Sequence, residues 1–123
     1  MALEKKADEI SGTRGRLLRF SDFALGAPLT VDTEQIGAAW RVDAVGVYYS
    51  VASTVDVEIY LVSGVVGGPV PLRTISLSAE QSGAWIPEEE ILFSSDDGLE
   101  VVAPLGGVGV DVGILVYLVE VGR

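Results

Sequence analysis

From residue 54 to 62 apolar and polar side chains alternate one for one: Val55, Val57, Ile59 and Leu61 fall on one side, Asp56, Glu58 and Tyr60 on the other. A period of two over that length predicts a strand with one buried and one wetted face, the pattern of antiparallel sheets. Similar reasoning places strands at 15–25, 29–31, 40–51, 72–77, 91–93, 99–103 and 110–121, with Val45, Val47, Tyr49 and Val51 sharing one face of the third. Stretches rich in Gly, Pro, Ser and Asp separate them: Gly26-Ala27-Pro28, the segment 63–71, the connection 78–83, and Ser94-Ser95-Asp96-Asp97-Gly98. Such residues favour turns for separate reasons, Gly by tolerating positive φ, Pro by fixing φ, Ser and Asp by bonding nearby backbone. Pro87 has no N–H to give a central ladder, so an edge piece is expected from Ala84 to Pro87. About eight such strands predict an all-β chain, an antiparallel β-sandwich of jelly-roll type.

The final strand departs from the alternation. Val110, Val112, Ile114, Val116 and Leu118 form one apolar row, but Leu115, Tyr117, Val119 and Val121 form another on the opposite side. A strand apolar on both sides in so small a sandwich calls for cover on its second face, and another chain is the expected cover. A homo-oligomer is therefore predicted, with Leu115, Tyr117 and Val119 at its interface. Tyr60, on the wet side of its strand, is assigned to the interface as well.

Charge is divided unevenly along the chain. Residues 1–19 hold five cations against three acids, whereas residues 20–122 hold only Arg41 and Arg73 against fifteen acids, a net charge of −13. Leu3, Ala7 and Ile10 have a weak helical spacing that breaks at Ser11-Gly12-Thr13, after which Arg14, Arg16 and Arg19 bracket Leu17 and Leu18. This reads as an N-terminal extended arm, residues 1–19, ahead of a sandwich domain, residues 20–123. Arg14, Arg16, Leu17, Leu18 and Arg19 are its expected partner-binding residues. The acidic body repels phosphate, so direct nucleic-acid binding is not expected.

Composition then narrows the chemistry. Hydrophobic residues make up 49% of the 123, enough for one core, and there is no His and no Cys. That removes the usual neutral-pH base, thiol nucleophiles, disulfides and the commonest metal ligands. Ser94 and Ser95 have no base to activate them. The glycines at 64, 67 and 68, and at 106, 107 and 109, lack both the following Lys-Ser/Thr and a helix N-terminus to receive a phosphate. Glu88-Glu89-Glu90 with Asp96-Asp97 has the oxygen-rich character of a Ca²⁺ site or an acid–base pair, but no ligand spacing to go with it, and a solvated acidic edge is the simpler reading. No catalytic residue, cofactor or enzyme activity is expected. The first ten residues contain no continuous apolar run of a secretory signal, and 101–119 is broken by Pro104, four Gly and Asp111, so no membrane partner is expected. Trp85, in a segment bounded by Gly and Pro, is the residue best suited to an exposed sugar-stacking platform.

In texture the chain resembles small virion accessory proteins of tailed bacteriophages, the capsid decoration or cement proteins. The resemblance lies in the run Val55-Asp56-Val57-Glu58-Ile59-Tyr60-Leu61-Val62, in Leu72-Arg73-Thr74-Ile75-Ser76-Leu77, in Asp97-Gly98-Leu99-Glu100-Val101-Val102, and in the short polar lead. It implies a structural protein, commonly trimeric, that binds the major capsid protein on the outer surface of a capsid lattice, with the arm clamping neighbours. The implied location is the virion, and the host cytoplasm during assembly. The alternatives are a carbohydrate- or receptor-binding module of a phage tail or surface appendage, and a head–tail connector component.

Overall fold

The computed structural model describes residues 10–12, 15–26, 28–64 and 68–121, and among these there are ten strands and no helix. One sheet runs in the order β1 (Ile10–Gly12), β2 (Gly15–Ala24), β10 (Val112–Glu120), β4 (Trp40–Ser53), β7 (Glu80–Trp85), with β8 (Leu92–Phe93) also paired to β4. The other runs β3 (Leu29–Asp32), β9 (Asp97–Ala103), β5 (Asp56–Ser63), β6 (Gly68–Ser76). All neighbours are antiparallel. Without the short β1 and β8, the remaining strands in chain order sit first-eighth-third-sixth in one sheet and second-seventh-fourth-fifth in the other. That is jelly-roll order, and the chain is an antiparallel β-sandwich.

Alternation decides which side chains meet between the layers. Leu18 and Phe20 of β2, Val112 to Leu118 by twos on β10, and Val45, Val47 and Tyr49 of β4 face Val31, Val57, Ile59, Leu99 and Val101 of the smaller sheet. Trp40 is fully buried, stacks on Phe93 with ring centroids 4.5 Å apart, and donates its indole N–H to the carbonyls of Ser94 and Asp97, 3.1 Å each. Tyr49 is also fully buried and donates its hydroxyl to the Pro104 carbonyl at 2.7 Å. Two large aromatics thus enter the core with their polar atoms satisfied, which avoids the cost of a buried orphan group.

Several sequence expectations shift. The segment 63–71 is largely strand: β5 runs to Ser63 and β6 begins at Gly68. Pro69 and Pro71 fit because β6 is the sheet's edge, where a missing N–H breaks no ladder. The connection 78–83 is likewise half strand, since β7 starts at Glu80. Val51 is not with Val45, Val47 and Tyr49; it is 49% exposed, lying past a register shift in β4 that follows Tyr48.

The boundary drawn at residue 19 falls inside β2, which pairs with β10 from Glu120↔Arg16 to Val112↔Ala24. Residues 15–19 are therefore part of the larger sheet and not of a separate arm. Leu18 lies in the core, and Arg16 closes a two-pronged ion pair with Glu120, Nε–Oε1 2.6 Å and Nη2–Oε2 2.8 Å. Arg14 lies outside the described residues.

Candidate binding surface

Pairing registers lay out the outer face of the larger sheet in rows. Phe23, Gly113, Tyr48 and Ser82 lie side by side, then Ser21, Leu115, Gly46 and Ala84, then Arg19, Tyr117 and Ala44, then Leu17, Val119 and Arg41. Leu17, Leu115, Tyr117 and Val119 are half-buried, with no further layer of the described chain above them. The small residues at Gly46, Gly113 and Ser82 leave a shallow groove of about 450 Å³ between the Leu115 ridge and Tyr48. Phe23 and Tyr48, 52% and 49% exposed, flank it. A methyl group on Gly113 would lie 3.4 Å from the Phe23 ring, so that ring leans over the glycine.

Leu115, Tyr117 and Val119 thus share one open face. Tyr60 is not with them: it sits on the outer face of the smaller sheet and hydrogen-bonds the Glu58 carboxylate. An aromatic on the wet side of an alternating strand does not reveal which sheet that strand joins.

The exposed platform that the carbohydrate-binding alternative calls for at Trp85 is not there. Trp85 is only 9% exposed, its row partner on β4 is the buried Val45, and the Arg73 guanidinium carbon lies 5.6 Å from the ring centre. The inward register of β7 buries the ring, and a cation covers what remains. Its indole N–H has no partner among the described residues. Phe23 and Tyr48 are the exposed aromatics instead, the first overlooked in the sequence and the second weighed there as a platform candidate but read as core or interface. The signal available was their position on strands whose alternate residues are core-forming.

The outer face of the smaller sheet is acidic. Asp32 lies directly opposite Glu100, which on its other side faces Tyr60, with Glu58 on the same strand as Tyr60. Burial, and then the Asp32 charge, hold the Glu100 carboxyl above the usual carboxylate range. A carboxyl with a raised folded-state pKa favours folding when protonated, so this contribution is present below its ordinary value of 4.5 and is lost as pH rises through the raised one. Glu100→Gln should accordingly unfold at higher urea than the parent at pH 7. The gap should close by pH 4, and an equal gap at both pH values would remove this account.

The acids singled out at 88–90 and 96–97 do not converge. Glu90 reaches Arg41 at 3.3 Å, the Asp97 carboxylate accepts from the Ser94 N–H and hydroxyl, and among the described residues no three acidic side chains are placed to hold a metal ion.

No family model and no curated protein matches the chain. Solved structures of similar shape include the family 32 carbohydrate-binding module of Clostridium perfringens NanJ in complex with galactose, with 17% identity, TM-score 0.48, and coverage of 88% of this chain and 80% of that one. A chitosan-binding module of a Paenibacillus chitosanase/glucanase matches with 11% identity, TM-score 0.49, and coverage of 81% and 75%. The pentamer-forming, histone-binding core of Drosophila NLP matches with 9% identity, TM-score 0.43, and coverage of 83% and 98%. Likeness at this level carries neither ligand nor partner over to this chain.

Proposed function

We propose that the chain is a structural, non-catalytic adhesion module whose copies pair through the outer face of the larger sheet. One observation carries the reading: the sheet's central strand, β10, presents Leu115, Tyr117 and Val119 on a face that no described part of the chain covers. Half-buried apolar side chains beside glycines form ridges and hollows that a second identical face can fill, in the manner of two sheets packed about 10 Å apart. Electrostatics permit it, because the carboxylates Asp32, Glu58 and Glu100 belong to the other sheet and Arg41, in the end row of this face, is paired with Asp43 and Glu90. A single face meeting its own copy closes as a two-fold pair; the trimer implied by resemblance to decoration proteins requires a head-to-tail contact instead. A repeating protein shell is the larger surface proposed for such a pair, since many modest contacts on a lattice add up.

Sedimentation velocity tests the pairing. The parent should sediment as a dimer, and Leu115→Lys should weaken the pair by about 100-fold, the loss typical of a central apolar contact replaced by a charge. A parent that stays monomeric at every concentration removes the proposal.

A glycan-binding reading is favoured by one observation, the two exposed rings of Phe23 and Tyr48 on either side of Gly113. Flat aromatic faces accept the apolar face of a sugar. A glycan array signal abolished by Phe23→Ala and Tyr48→Ala, with assembly intact, would establish it; a blank array would dismiss it.

A further inference from the structure

Another apolar surface lies at one end of the sandwich, where the loops after β2 and β9 meet the end of β4. Leu25 is 74% exposed, Val108 is 101% exposed, and Val51 and Leu105 are also exposed. The loops are tied to one another. A methyl on Gly26 would lie 3.7 Å from the Gly109 Cα, the Ser50 N–H donates to the Asp111 carbonyl at 2.9 Å, the Asp111 N–H donates to the Ser50 hydroxyl at 2.9 Å, and Tyr49 holds the Pro104 carbonyl. Gly107 and Gly109 carry φ values of 145° and 74°, backbone that side-chain-bearing residues rarely adopt, and they set Val108 at the tip between them. Held loops that display aliphatic side chains to water mark a recognition surface.

Charge identifies the occupant. Asp22 and Asp111 flank this end. The described cations lie elsewhere: Arg16 and Arg41 pair across from Glu120 and Val119 at the opposite end, Arg19 lies across from Tyr117 in mid-sheet, and Arg73 is on the smaller sheet. Anionic lipid and nucleic acid would find no counter-charge, and a second copy would bring Asp22 and Asp111 against themselves. We infer that the loop end docks an apolar patch bordered by lysine or arginine on a different protein. This inference goes beyond pairing through the sheet face and uses none of the residues in that pairing.

Selection of a random displayed peptide library on the intact chain tests it. Enriched peptides should combine aliphatic residues with Lys or Arg, bind more weakly in high salt, and bind the Leu25→Asp/Val108→Asp variant at least about tenfold more weakly, as for loss of an apolar anchor. Should that variant melt early, Val108→Ser alone serves, and its weakening should be smaller but measurable. The inference is overturned if no peptide is enriched, if the enriched peptides lack cations, if binding survives loss of Leu25 and Val108, or if those residues instead control self-association or binding to phosphatidylserine or phosphatidylcholine vesicles. Leu115→Lys separates the two readings: a dimer that persists in that variant removes the sheet-face proposal, whereas failed peptide selection with the dimer intact removes only this one.

Discussion

The Trp40→Ala variant is expected to unfold in much weaker urea than the parent, at a cost of about 4 kcal/mol, near the upper range for removing a large buried aromatic. The indole is fully buried, packs on Phe93, and satisfies two carbonyls, those of Ser94 and Asp97. Removal leaves a cavity and takes one donor from each carbonyl, leaving Ser94 with the Asp97 N–H and Asp97 with the Ile36 N–H. Against the roughly 5–15 kcal/mol that holds a typical domain together, such a loss threatens folding outright. Trp40→Phe keeps an aromatic ring against Phe93 but loses the N–H and part of the indole volume, so it should cost less, about 2 kcal/mol. Equal losses in the two variants, measured by urea denaturation, would show that the hydrogen bonds and not the ring hold this corner.

Gly98→Ala should be nearly as damaging, although it adds a single methyl. That methyl would run into the Glu34 carbonyl oxygen and lie 2.6 Å from its carbon, both backbone atoms. Glu34 is itself held at φ 59°, and the connector around it is fastened to the start of β9: Thr33 N–H to the Leu99 carbonyl, Ile36 N–H to that of Asp97, and Leu99 N–H to the Thr33 hydroxyl. Room can be made only by lifting the connector and breaking those bonds. Overpacking with backbone displacement puts the loss at about 3 kcal/mol. Gly68→Ala, where a methyl would meet nothing within 4 Å, is the control and should be close to neutral. Similar urea midpoints for the two alanine variants would refute the close approach.

Much of this architecture was legible in the residues because a half-buried strand writes its two faces directly into its sequence. Val57 and Ile59 inward with Asp56 and Glu58 outward follow from that rule, whereas the place of the doubly apolar β10 at the middle of its sheet does not. Where the reading slipped, a non-local fact decided. Pro69 and Pro71 look like loop residues until β6 is known to be an edge, and Arg16 to Arg19 look like a tether until β10 is found beside them. Trp85 looks exposed until its register with Val45 turns it inward. The loop-end patch was invisible for the same reason. Leu25 belongs to one connection, Leu105 and Val108 to another and Val51 to the end of β4, each unremarkable alone, and only the jelly-roll path brings them together.

The prolines of β6 have a further consequence. This edge strand carries Pro69, Pro71 and a bulge at Leu72, where Ile59 pairs with Arg73 and Tyr60 with Pro71, so the rim is kinked and short of N–H donors. A strand from a neighbouring molecule finds no straight template there on which to zip up, and ribbon-like growth into fibrils is blocked along that margin. The four-stranded layer is thereby barred from endless extension through β6.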